Sequence, residues 1–138
     1  MTDMMIDGGC YCGEVRYHAE GDPIFKGECF CRECQYISGG NSNIVMAMPA
    51  AGFSVTKGAP KSFVRPDLEK GVSRLFCGTC GTHLFTRSPN FTFGVIVRVG
   101  TFDDPALYGG AQMAIQIADK FDHHRIPDNI PVFERWSN

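Results

Sequence analysis

No run of lysine and arginine occurs anywhere in these 138 residues, and the formal charge is only −2. A chain built this way has no polycationic surface to hold a nucleic acid through its phosphates, so nucleic-acid binding is not expected. No apolar stretch approaches the ~20 residues that span a bilayer, so no membrane partner is expected either. The opening MTDMMIDGGC lacks the basic and apolar segments of a secretory leader, which points to a cytoplasmic location. Helix signals are also scarce. Strong helical periodicity is missing, while 16 glycines and 8 prolines cut the chain into short pieces.

What remains is β-like. EVRYHAE (Glu14–Glu20) alternates apolar and polar residues, the pattern of a half-buried strand. NIVMAMPA, FSVT, KSFVR, VSRLFC and THLFTRS read as further short strands, and FGVIVRVG (Phe93–Gly100) as a core strand. MAIQIADK (Met113–Lys120) is strand-like, and the tail DHHRIPDNIPVFERW should be mostly extended. Two short helical segments are expected: one over Cys31–Ser38, stopped by Gly39-Gly40, and one at DDPAL, with Asp as N-cap and Pro105 at the first helical position. There is no repeat and no linker, so residues 1–138 read as a single, mainly β domain.

Seven cysteines stand out against this background. An odd count rules out complete disulfide pairing, and in a reducing compartment clustered cysteines point to metal. They fall into three groups: Cys10 and Cys12; Cys29, Cys31 and Cys34; Cys77 and Cys80. Such spacings let one tetrahedral zinc ion take both sulfurs of a pair. The glycines of CGTCG permit the tight turn that aims backbone N–H groups at the thiolates. Cys77 and Cys80 need a second pair, and Cys10 with Cys12 can supply it as a closed, structural four-thiolate site.

Cys29, Cys31 and Cys34 then remain as three ligands with an open fourth position, the arrangement of a catalytic zinc. Three thiolates make zinc electron-rich and a weak activator of water, but well suited to holding a fourth, soft thiolate. Other partitions stay open on spacing alone. Cys77 and Cys80 can join two of the middle cysteines, or one of His18, His83, His123 and His124 can close the second site. Arg32 and Glu33 read as a solvated turn, Asp103-Asp104-Pro105 as a helix cap. Arg74 and Arg98 can pair with a substrate carboxylate or within the protein.

The segments GGCYCGEVRY, GDPIFKGECFCRECQYISGG, SRLFCGTCGTHLF and VGTFDDP together resemble the glutathione-dependent formaldehyde-activating enzymes, the GFA/CENP-V-type domain. The resemblance implies a zinc-stabilised β-tent fold of several curled antiparallel sheets. It implies two zinc ions per chain, with Cys10, Cys12, Cys77 and Cys80 structural and Cys29, Cys31 and Cys34 catalytic; the second site can stand empty. The implied activity is that of a carbon–sulfur lyase joining glutathione, or a similar thiol, to formaldehyde or another small aldehyde. A thiol carrier and an interaction module are the alternatives, and the oligomeric state is left undetermined. The chain departs from the family pattern in several places: Phe30 stands where His is usual, Gln35-Tyr36 where Arg-Lys is usual, and GTFDDP where GTLDDP is usual. Near the C-terminus QMAIQIADKFDHHRIPDNIPVF keeps only the general shape of a His-bearing strand. A lost cation at positions 35 and 36 would be a lost contact to an anionic substrate.

Overall fold

In a computed structural model, residues 3–135 are described. They form ten strands and one α-helix. The strands are β1 (Met4–Gly9), β2 (Arg16–Gly21), β3 (Phe25–Cys29), β4 (Asn43–Pro49), β5 (Phe53–Lys57), β6 (Lys61–Phe63), β7 (Ser73–Phe76), β8 (His83–Arg87), β9 (Gly94–Arg98) and β10 (Met113–Ile115). The helix α1 spans Arg32–Ile37. A small sheet runs β1-β2-β5, and a seven-stranded sheet runs β10-β3-β4-β9-β8-β7-β6. The pairings are antiparallel except that of β10 with β3, which is parallel.

The core lies between the sheets. Alternation sends Ile6, Tyr17, Ala19 and Phe53 from the small sheet against Met46, Met48, Phe85, Val95 and Val97 from the large one. The Phe53 ring bridges the two layers, stacked on Tyr17 at 5.5 Å and edge-on to Phe85 at 4.6 Å between centroids. Each such fully buried side chain contributes on the order of 1.5–3 kcal/mol.

The opposite face of the large sheet is different. Register aligns Arg74 with Thr86, Thr86 with Ile96, Ile96 with Ala47 and Ala47 with Phe25. Four residues along β3, and so on the same face, Cys29 lies opposite Asn43. Because side chains alternate faces, this row points away from the core, and all of it but Ala47 lines a cavity.

Several sequence expectations need correction. The strand expected over Met113–Lys120 stops at Ile115, because Gln116 adopts a left-handed conformation (φ 57°) and a 3-10 turn follows at Ile117–Asp119. Among the described residues the proline-rich tail forms no strand, and a bridge between Val132 and Ala114 joins it to the sheet; Trp136 lies outside the described residues. The helix near Pro105 is a 3-10 turn, Pro105–Tyr108, capped by Asp104 through the Ala106 N–H. Its neighbour Asp103 pairs with Arg16 instead.

The small sheet carries a pH-sensitive contact. The two ring nitrogens of His18 meet the carboxylates of Asp7 at 2.8 Å and Glu20 at 2.7 Å. These partners, Glu20 first, raise its pKa above the ordinary value of 6.5. Their stabilisation is therefore complete below about pH 6.5 and disappears as pH rises through the higher folded value. Wild type should melt above His18→Gln at pH 5.5 and approach it by pH 8.5 in thermal scans. A constant difference would contradict this.

Candidate metal and thiol site

Two cysteine clusters form, each with its sulfurs within 4.8 Å of one another: Cys10, Cys12, Cys77 and Cys80, and separately Cys29, Cys31 and Cys34. All seven cysteines are free. This excludes the partition that joins Cys77 and Cys80 to the middle group. Among the described residues no histidine enters either cluster. His18 is held by carboxylates, and His124 is buried with Nε2 2.7 Å from the Gly40 carbonyl.

The four-cysteine cluster joins the sheets. Cys10 and Cys12 lie in the turn between β1 and β2 of the small sheet; Cys77 and Cys80 lie in the turn between β7 and β8 of the large one. Zinc–sulfur bonds of about 2.3 Å in a tetrahedron put sulfurs about 3.8 Å apart. Cys10 and Cys12 Sγ are 3.6 Å apart, and Cys12 and Cys77 Sγ 3.8 Å, so the cluster fits the ion. Backbone N–H groups already point at the sulfurs: Val15 at Cys10 (3.2 Å), and Thr79 and Cys80 at Cys77 (3.4 Å each). Thr82 binds Cys80 Sγ through its hydroxyl, and that contact, followed by its backbone N–H, lowers the Cys80 thiol to about 5. Such donors favour thiolates, the form a metal needs.

The three-cysteine cluster spans a strand end, a helix cap and a first helical turn. Cys29 ends β3. Cys31 is the N-cap of α1, with extended backbone (φ −61°, ψ 156°), and its Sγ accepts the Cys34 N–H at 3.2 Å. The helix is held at both ends. Gln35, buried, donates from Nε2 to the carbonyls of Phe30 (2.9 Å) and Asp119 (3.0 Å). Arg98 donates to the Ile37 carbonyl (2.8 Å) and Ser38 Oγ (3.2 Å), satisfying groups that a helix end leaves open. Gly39 and Gly40, at φ 72° and 94°, end the helix as the sequence suggests.

Three adjacent thiols cannot all ionise without a cation. Hydrogen bonding from Cys29 and then Cys34 lowers Cys31 to about 3, against its desolvation and with help from the Arg74 charge. Cys29 is correspondingly pushed up to about 12 by Cys31, and Cys34 is raised too, by Cys29 and Cys31. One negative charge is held, and a cation is needed for the rest; that is the donor chemistry of a thiolate metal site.

The two clusters differ in what lies beside them. Cys29, Cys31 and Cys34 form part of the wall of a cavity of about 240 Å³ on the outer face of the large sheet. Phe25, Val45, Phe91, Ile96 and Ile115 supply apolar wall; Asn43, Arg74, Thr86 and Gln116 supply polar groups. Asn43 points Nδ2 at Cys34 Sγ (3.8 Å), while its Oδ1 is buried with no hydrogen-bond partner among the described residues. An orphaned acceptor is costly to keep.

The model of the family described as glutathione-dependent formaldehyde-activating enzyme matches residues 5–118, a span that holds all seven cysteines. The chain belongs to this family. The crystal structure of a Rhodobacter sphaeroides protein is similar in fold, with a TM-score of 0.60 at 18% identity over 76% of this chain and 96% of that one. No curated protein matches the chain significantly. The mainly β architecture expected of a GFA chain is present, with two sheets and little helix. Among the described residues no helix is long and apolar enough to cross a membrane.

The departures from the GFA pattern now have locations. Phe30, with 0% exposure, packs edge-on to His124 at 5.5 Å between centroids and fills space behind the cluster. Tyr36 is 80% exposed, with Arg32 over its ring, and Gln35 faces inward to carbonyls. Neither position 35 nor position 36 lines the cavity.

Glu33 is more than a solvated turn residue: it lines the cavity rim and pairs with Arg65 at 2.8 Å. Asn43, Thr86 and Gln116 were not anticipated. Asn43 opens a strand whose other residues alternate into the core, and only sheet register reveals which face it takes.

Proposed function

We propose that the chain is a zinc-dependent carbon–sulfur lyase of the GFA type, joining glutathione or a similar thiol to formaldehyde or another small aldehyde. The observation that carries this reading is the cavity against Cys29, Cys31 and Cys34, which the four-cysteine cluster does not share. In this reading Cys10, Cys12, Cys77 and Cys80 hold a structural zinc and Cys29, Cys31 and Cys34 a catalytic one. Zinc bound at the three cysteines would keep an incoming sulfur deprotonated at neutral pH. Open thiols of this kind suit a reducing compartment such as the cytoplasm.

The chain's own residues do the rest. Gln35 and Arg98 fix α1, and through it the directions of Cys31 and Cys34. The apolar wall from Phe25 to Ile115 excludes water from one side of the sulfur and holds the aldehyde against it. The thiol proton leaves to solvent, a sulfur lone pair forms the carbon–sulfur bond, and the carbonyl π pair moves to oxygen. That oxygen takes a proton from water at the cavity mouth, giving a hydroxymethyl thioether. Thiols and formaldehyde combine unaided, so the protein's contribution is positioning and the ionised sulfur.

Because a catalyst leaves the equilibrium unchanged, the test is exchange spectroscopy by NMR on glutathione, formaldehyde and their adduct. The exchange rate should rise in proportion to zinc-loaded protein. Glutathione that binds without faster exchange would make the protein a carrier, and no binding at all would remove glutathione as the thiol.

A further inference from the structure

Resting on the reading that the three-cysteine cavity takes a thiol, we infer that Arg74 is its anion anchor and that the substrate class is a thiol bearing one carboxylate on a short apolar body. Arg74 lies on β7, half-buried in the row of side chains that faces the cavity, and its charge is felt at Cys31. Among the described residues it makes no ion pair, hydrogen bond or ring contact. The other arginines are engaged. Arg16 pairs with Asp103, Arg65 with Glu33 and Asp67, and Arg135 with Asp119. Arg98 and Arg125 bind carbonyls, Arg32 binds Gln35, and Arg87 lies over Phe53 and Phe85.

A half-buried guanidinium with no hydrogen bond or ion pair loses hydration and regains little of it from the Coulomb attraction of the Cys31 sulfur, so its partner is sought in what enters the cavity. The cavity's one carboxylate among its lining residues, Glu33, is already held by Arg65 on the rim and does not neutralise it. Arg74 presents a planar fork suited to a carboxylate. Phe25, Val45, Phe91, Ile96 and Ile115 leave the rest of the cavity to an apolar group. Glutathione carries two carboxylates and an ammonium; one free cation answers one of those three charges. A monocarboxylate thiol with an apolar body satisfies both Arg74 and the wall, and so binds ahead of glutathione.

Calorimetric titration of the zinc-loaded full chain tests this with a mercaptophenylpropionate, its methyl ester, sulfur-free phenylpropionate and glutathione. Wild type should bind the acid about tenfold or more tightly than the ester, the size of a charge-assisted contact, and more tightly than glutathione. Arg74→Gln should bind acid and ester alike, and Arg74→Lys should keep part of the preference. Near-ultraviolet circular dichroism matching wild type shows that the variant is folded.

Equal binding of acid and ester by wild type, or a preference that survives in Arg74→Gln, would overturn the anchor while leaving the thiol reading intact. Glutathione binding as tightly as the acid would overturn the substrate class. Loss of the thiol reading has a different signature: the mercapto acid would bind no better than sulfur-free phenylpropionate.

Discussion

Cys77→Ser should leave the chain without a cooperative native fold. The residue is 1% exposed, and its Sγ accepts two backbone N–H groups and sits in the cluster that joins the β1–β2 turn to the β7–β8 turn. These turns belong to different sheets, so the proposed zinc is a staple between layers as well as a local cap. Structural zinc in small domains contributes roughly 10–16 kcal/mol near neutral pH, whereas a whole domain is stable by only about 5–15 kcal/mol. Losing one of four ligands removes a large part of that contribution. Near-ultraviolet circular dichroism and a thermal scan would show lost tertiary signal and no sharp transition. Unchanged melting in Cys77→Ser would mean that the core between the sheets is sufficient without the ion.

Cys31→Ser should do the reverse: keep the fold and abolish the accelerated exchange. Serine is a favoured N-cap, so its hydroxyl can take over the bond from the Cys34 N–H, and α1 keeps its start. The core of Met46, Met48, Val95 and Val97 lies on the other face of the sheet and is untouched. The melting temperature should move by no more than a few degrees, the effect of about 1 kcal/mol in a domain of this size. Thiol–aldehyde exchange should fall to the rate without protein, because the variant lacks the sulfur that carries the cluster's lowered pKa and with it a third ligand. A folded Cys31→Ser protein that still accelerates exchange would place the chemistry elsewhere.

The cysteines were the most legible part of this molecule. Their spacing sorted them into three local groups, because cysteines with one or two residues between them stay together in any tertiary arrangement; which groups join was open on spacing and is decided by the packing of the two sheets. The strands at Arg16–Gly21 and Gly94–Arg98 announced themselves by alternation and by a β-branched run. Other elements did not. In β1 and β3 the apolar signal is diluted by glycine and charge, and the parallel pairing of β10 with β3 is a long-range contact that no local pattern encodes.

The cavity lay further out of reach. Its wall takes residues from β3, β4, β7, β8 and β9, and only register decides that Asn43, Thr86 and Arg74 share one face. Arg74 and Arg98 look equivalent in the sequence. The fold separates them: Arg98 is committed to the end of α1, and Arg74 has no hydrogen bond or ion pair among the described residues.

The central claim is that Cys29, Cys31 and Cys34 form a second, open metal site. The most direct measurement is zinc per chain, by elemental analysis of wild type and Cys31→Ser purified without chelator. Two ions in wild type and one in a folded Cys31→Ser protein is the expected result. The same count in both would contradict a metal at this site.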